Sequence, residues 1–113
     1  MDRAHFEAII ASLPGTSIVE QWDSHVAKVG GKVFALWGGD AVVFKVPETS
    51  FEILTAGDGV TQAPYFAKRH WVSVASGALP LADIEHYIKA SHAIVAAGLT
   101  KKLQRELGLL PAA

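Results

Sequence analysis

Four short β-type segments, separated by an Asp23-Ser24 turn and two glycine turns, constrain the fold of this chain most. The segments are residues 16–22, 25–29, 32–37 and 41–46. They are rich in β-branched and aromatic side chains, as strands are. The Gly30-Gly31 pair forms a two-residue loop that tolerates the positive φ angles of a tight hairpin, and Gly38-Gly39-Asp40 provides a second turn. Because every connection is short, the pattern predicts an antiparallel meander.

The rest of the chain reads as helices and one more strand. Apolar residues at helical spacing predict helices over residues 2–13, 48–54, 81–97 and 101–107. A fifth strand is predicted from about residue 70 to 75. This order favours an α+β domain in which helices pack on one face of an antiparallel sheet of about five strands. A chain of 113 residues has the size of one domain, so we expect residues 1–113 to form a single unit.

Alternation within the third segment predicts which side chains share a face of the sheet. Val33, Ala35 and Trp37 are expected on one face, and Phe34 and Leu36 on the other.

Composition narrows the classes of function. The chain has no cysteine, which excludes disulfides and thiolate chemistry and suits a reducing cytoplasm. No apolar run reaches the roughly 18 residues that span a bilayer, and residues 1–5 do not resemble a signal peptide. The formal net charge is −1, so any affinity for nucleic acid must come from a local basic patch. We expect a cytoplasmic protein that is monomeric and does not bind membranes.

Residues 63–74 hold the densest unusual chemistry: a proline, two large aromatics and the basic triplet Lys68-Arg69-His70, directly before the fifth strand. The triplet suits contact with phosphate or an acidic ligand. A solvated turn that protects a sheet edge is an equally good interpretation. An exposed Tyr65 beside cations would suit stacking on single-stranded nucleic acid, whereas Phe66 and Trp71 are expected in the core.

Several separated motifs together resemble one family. They are the segment 63–74, the hairpin Lys28-Val29-Gly30-Gly31-Lys32-Val33-Phe34-Ala35, the strand Val43-Phe44-Lys45-Val46 and the closing turn Leu99-Thr100-Lys101-Lys102. Taken together and in their order along the chain, these motifs resemble those of the MmcQ/YjbR-like family of small bacterial proteins. Two positions depart from its pattern: Ala67 replaces the usual Asn, and His92 the usual Tyr. The resemblance implies a CyaY-like fold with a "double wing" of hairpins and a DNA-binding role.

Two binding hypotheses follow. In the first, DNA phosphates contact a basic hairpin and the following basic segments, and binding is weak and salt-dependent. Its candidate residues are Lys28, Lys32, Lys45, Lys68 and Arg69. In the second, a small acidic ligand or a protein partner occupies a cleft beside Tyr65 and His70, and no nucleic acid binds.

Metal and catalytic chemistry find little support in the sequence. The five histidines include no pair at i, i+4 spacing and no H-x-H pair, so no metal site and no cofactor are expected. Asp23-Ser24-His25 contains the residue types of a hydrolytic triad, but sequence neighbours on a turn cannot align as one. We therefore expect a binding module and not an enzyme.

Overall fold

The computed structural model describes residues 1–110, and the domain prediction for residues 111–113 lies outside the described part. The architecture is α+β, as expected. The helices are α1 (Arg3–Ala11), α2 (Glu48–Thr55), α3 (Leu81–Ala97) and α4 (Lys101–Glu106). The strands are β1 (Thr16–Gln21), β2 (Ser24–Val29), β3 (Lys32–Gly38), β4 (Ala41–Lys45), β5 (Val60–Gln62) and β6 (Trp71–Ala75).

The sheet is antiparallel throughout, with strand order β1-β2-β3-β4-β6-β5. The predicted meander forms its first four strands. The prediction of about five strands missed β5, which pairs with β6 through Val60 opposite Val74. Its three residues lie between Gly59 and Pro64, so they are too few to show an alternating pattern.

The helices cover one face of this sheet and enclose the main core. Phe6, Ile9 and Ile10 of α1 are buried, as the helical spacing predicts. Ile88 of α3 and Phe44 of β4 are fully buried in the same cluster. Burying a single large apolar side chain contributes about 1.5–3 kcal/mol, so this layer supplies much of the stability.

A β-bulge changes the predicted faces of β3. The pairing of β2 with β3 shifts after Ala27, so Phe34 has no opposite residue. Phe34 is fully buried with Ala35 in the helix-side core, and its ring meets His92 of α3 edge-on at 5.2 Å. The prediction that placed Phe34 on the opposite face is therefore wrong, because the extra residue of a bulge interrupts the alternation.

Two polar side chains fasten α3 to the rest of the fold. The buried Ser91 hydroxyl donates to the carbonyl oxygen of Phe34 at 2.6 Å and accepts from the backbone N–H of Lys45 at 2.9 Å. Nε2 of His92 lies 2.9 Å from the carbonyl oxygen of Pro14. Ser91 thus bridges β3 and β4 just beyond their last paired residues, Ala35 and Phe44.

We call the sheet face opposite the helices the open face. Val26 is opposite Leu36, and Leu36 is opposite Val43, so these apolar side chains share it. Trp71 lies on the same face and is 8% exposed. The half-buried ring of Phe66 covers it at a centroid distance of 4.4 Å. Trp71 is buried as expected, but under the 63–70 connection and not in the helix-side core.

Candidate nucleic-acid interface

The strand register brings the five predicted cations to one end of the sheet. Lys28 lies near the end of β2, and Lys32 opens β3 opposite Val29. Lys45 closes β4 opposite Trp71, the first residue of β6. Lys68 and Arg69 directly precede Trp71 in the chain. Because antiparallel neighbours end where their partners begin, all five lie at this end, which we call the basic end.

Helix α4 adds charge to the basic end. A side chain at Gly30, in the β2–β3 turn, would collide with Leu99 and Leu103, so this turn packs directly against the start of α4. The exposed cations of α4 therefore extend the same end of the molecule. The full set is Lys28, Lys32, Lys45, Lys68, Arg69, Lys101, Lys102 and Arg105.

The opposite end of the sheet is acidic. The β1–β2 turn, the β3–β4 turn and the loop before β5 all lie there, as the pairings of Gln21 with Ser24, Gly38 with Ala41 and Val60 with Val74 require. Its acidic residues are Glu20, Asp23, Asp40 and Asp58. The net charge of −1 therefore conceals two oppositely charged ends.

The cations at the basic end differ in orientation. Lys28 and Lys45 follow Val26 and Val43 at i+2, so both point to the open face. Both are half-buried, which keeps their aliphatic stems against the sheet. Lys32 is exposed at the hairpin tip. It is paired with Val29 of the helix-side core, so it belongs to the helix side of the sheet. The basic end thus presents two lysines on the open face and the others around its rim.

Arg69 is held by carboxylates. Its Nε donates to Oε1 of Glu48 at 2.6 Å, and its Nη2 donates to Glu52, the next acidic residue on α2. The hydrogen bond with Glu48 has the largest effect and the one with Glu52 the next largest. Both raise the pKa of the guanidinium above its ordinary value. Two carboxylates around one cation leave this cluster with no positive charge to spare for a phosphate. Arg69 therefore fastens the 63–70 connection to α2.

Gln62 organises the same connection from inside. Its side-chain amide donates to the carbonyl oxygens of Ala63 at 2.9 Å and Phe66 at 3.3 Å, and its Oε1 accepts from the N–H of Arg69 at 3.0 Å. A side chain that bonds backbone groups on both sides of a loop restricts its conformations. The connection consequently has a defined shape, with Lys68 and His70 exposed on it.

An apolar groove crosses the open face. It encloses about 580 Å³. Its lining residues are Trp22, Leu36, Val43, Pro64, Tyr65 and Phe66. Tyr65 lines it as the second binding hypothesis expects, whereas the exposed His70 is not among the lining residues found within residues 1–110.

The sequence pattern predicts Trp22 as the last residue of a strand and does not identify it as a groove residue. It is instead the first residue of the β1–β2 turn and is 69% exposed. The available signal was its position directly before Asp23-Ser24, a typical turn pair.

Residues 1–110 provide neither a metal-binding cluster nor a membrane-spanning helix. No group of three or more His, Cys, Asp or Glu side chains in this range is placed to hold a metal ion. Among the described helices, none combines the length and apolar character needed to cross a bilayer.

Comparison with solved structures supports the fold. A crystal structure of the Deinococcus radiodurans protein DR2400, which carries a DUF419 domain, aligns with a TM-score of 0.79 and 23% identity over 94% of this chain and 86% of that one. A crystal structure of a Pseudomonas syringae protein aligns with a TM-score of 0.70 and 22% identity over 83% of this chain and 98% of that one. No curated protein matches the sequence significantly.

The family assignment rests on the sequence and agrees with this architecture. The sequence model of the YjbR family matches residues 11–94, which include all six strands, α2 and most of α3. That stretch contains the hairpin of Lys28 and Lys32, the strand of Lys45 and the whole 63–70 connection. The chain belongs to the YjbR family.

Proposed function

We propose that this protein is a DNA-binding module whose basic end neutralises backbone phosphates. The observation that carries the proposal is the separation of charge, which gathers cations from β2, β3, β4, the 63–70 connection and α4 at one end of the sheet. Such a patch attracts a polyanion locally even when the whole chain is close to neutral. Lys28, Lys45 and Lys68 are the proposed phosphate contacts nearest the open face.

Weak, salt-dependent binding is the expected behaviour. Phosphate contacts release counterions and carry little sequence information. Because the acidic end opposes long-range attraction, we expect non-specific affinity of roughly 10⁻⁴–10⁻⁶ M at physiological salt. The proposed role is binding by a cytoplasmic monomer, without catalysis and without a metal or cofactor.

A salt titration of a lysine double variant tests the proposal. Replacing Lys45 and Lys68 with alanine should weaken binding to a DNA duplex. It should also flatten the plot of log K against log salt by roughly one to two units, about one per lost phosphate contact. Affinity should be measured by fluorescence anisotropy from low to physiological salt.

Lys89→Ala is the matched control. Lys89 is an exposed lysine of α3, on the helix side of the sheet and not on the open face, and its Nζ lies 3.9 Å from Oε1 of Glu85. Its replacement should leave both affinity and slope unchanged. Undetectable binding at low salt would rule out phosphate contact at the basic end, and the same slope for the double variant as for the wild type would rule out contact through Lys45 and Lys68.

The apolar groove favours a second candidate function, the binding of a protein partner. Exposed aromatic side chains beside an apolar floor are common where proteins meet. In that case DNA would not bind, and replacing Trp22 would release the partner while the lysine variants would not.

A further inference from the structure

Two aromatic side chains that line the groove are exposed to solvent. Trp22 is 69% exposed and Tyr65 is fully exposed, yet both line the same groove over Leu36 and Val43. Large aromatic side chains usually stabilise a fold by being buried. At this level of exposure, neither side chain contributes much to the core.

Their backbone conformations are also unfavourable. Trp22 has φ of 53° and Tyr65 has φ of 68°, in the left-handed region that bulky residues rarely adopt. Asp23 follows with φ of 59°, so both central residues of the β1–β2 turn have positive φ. Asn-Gly is the preferred pair in such a turn. Trp22 therefore occupies a position where another residue would suit the fold better, and such outliers point to function.

The Tyr65 side of the groove is preorganised. Gln62 bonds the backbone at Ala63 before Tyr65 and at Phe66 after it, and Arg69 anchors the far end of the connection to Glu48 and Glu52. Phe66 packs on the buried Trp71 directly after Tyr65. A loop held in this way loses little entropy when a ligand binds.

The lysines beyond the groove floor point to the occupant, although Trp22 itself lies on the acidic β1–β2 turn beside Asp23. Lys45 lies two residues beyond the groove floor at Val43 and on the same face, and Lys28 lies two residues beyond Val26. Lys68 follows Phe66 by two positions in the connection. Aromatic side chains that stack bases, next to cations that follow a phosphate backbone, are the features of single-strand binding.

We propose that the groove takes an unstacked base of single-stranded nucleic acid between Trp22 and Tyr65, while Lys45, Lys28 and Lys68 contact the flanking phosphates. The proposal rests on the DNA-binding function above and adds a preference for single strands. A base inside a duplex is already stacked and paired, so it cannot enter the groove without an unstacking cost.

The test compares two oligonucleotides of equal length and charge. One is an oligothymidylate, and the other carries abasic sites throughout. We expect the oligothymidylate to bind about tenfold more tightly and to quench tryptophan fluorescence, because stacking contributes this much per base. The abasic strand should bind through its phosphates alone, with little quenching.

Two turn variants locate the effect. Trp22→Asn and Tyr65→Asn each keep the net charge and place a residue that tolerates positive φ. Each should lower oligothymidylate affinity about tenfold and leave abasic affinity unchanged. The Trp22→Asn variant should unfold at the same denaturant concentration as the wild type or at a higher one. Weaker binding by this variant would therefore not reflect misfolding. Ile53→Ala, on the exposed side of α2 at 74% exposure, should change neither affinity.

The outcomes separate this inference from the proposed function. Equal affinity for both oligonucleotides, with normal salt dependence, would overturn the stacking groove and leave phosphate binding intact. Absence of binding to either oligonucleotide and to duplex at low salt would overturn both. Quenching by a neutral proline-rich peptide but by neither oligonucleotide would assign the groove to a protein partner.

Discussion

Replacing Trp71 with alanine is expected to lower the free energy of unfolding by about 3–5 kcal/mol, the usual cost of removing a buried large aromatic. Trp71 is 8% exposed and packs against Phe66. Its removal would leave a cavity between the sheet and the 63–70 connection. Since a domain of this size is stable by about 5–15 kcal/mol, the loss would be a large share of the total. Chemical denaturation followed by circular dichroism measures it.

Trp22→Ala is the matched control for Trp71→Ala. The same side chain is removed from a position that is 69% exposed, so stability should change by less than about 0.5 kcal/mol. A loss below about 1 kcal/mol for Trp71→Ala would show that Trp71 does not anchor the open face, and its role would then have to lie in ligand binding.

The second large effect is expected at Ser91. Ser91→Ala removes a hydroxyl that donates a hydrogen bond to the carbonyl oxygen of Phe34 and accepts one from the N–H of Lys45. Two backbone groups beside a buried side chain would lose their partner, and each such group costs about 1–3 kcal/mol. We expect a total loss of about 2–4 kcal/mol, because the strands can relax slightly toward each other. Urea denaturation with an unchanged m-value would identify this as a change in stability.

Ser73→Ala controls for the loss of a serine hydroxyl. Ser73 is a half-buried residue of β6 for which residues 1–110 provide no side-chain hydrogen-bond partner. Its replacement should alter stability by less than about 0.5 kcal/mol. If Ser91→Ala were as stable as the wild type, the N–H of Lys45 would have to donate directly to the carbonyl oxygen of Phe34. The bridge through Ser91 would then be dispensable.

Local signals were sufficient for most of the architecture. Gly30, Gly31 and Gly39 mark hairpin turns because few other residues accept positive φ, and β-branched residues between them favour strands. The stripe of Phe6, Ile9 and Ile10 marks a helix with one buried face. These signals depend on neighbours within about ten residues, so they can be read without knowing where the chain goes next.

Other features depend on contacts between distant residues. The bulge lets Phe34 pack against His92 of α3, and the three-residue β5 is stabilised by its pairing with β6. Ser91 reads as an ordinary helical residue until α3 crosses the end of the β3–β4 pair. Nothing in the local pattern of these segments reveals the partner.

The candidate site divides in the same way. From the sequence alone, Lys28, Lys32, Lys45, Lys68 and Arg69 are identifiable as candidate cations, and Tyr65 as a candidate aromatic. Tertiary structure decided the rest. The antiparallel register gathers these cations at one end, the carboxylates of α2 bind Arg69, and Trp22 and Tyr65 line one groove on the open face. The physical reason is that charge and stacking act through space, and only the folded sheet brings residues from separate strands within reach of one ligand.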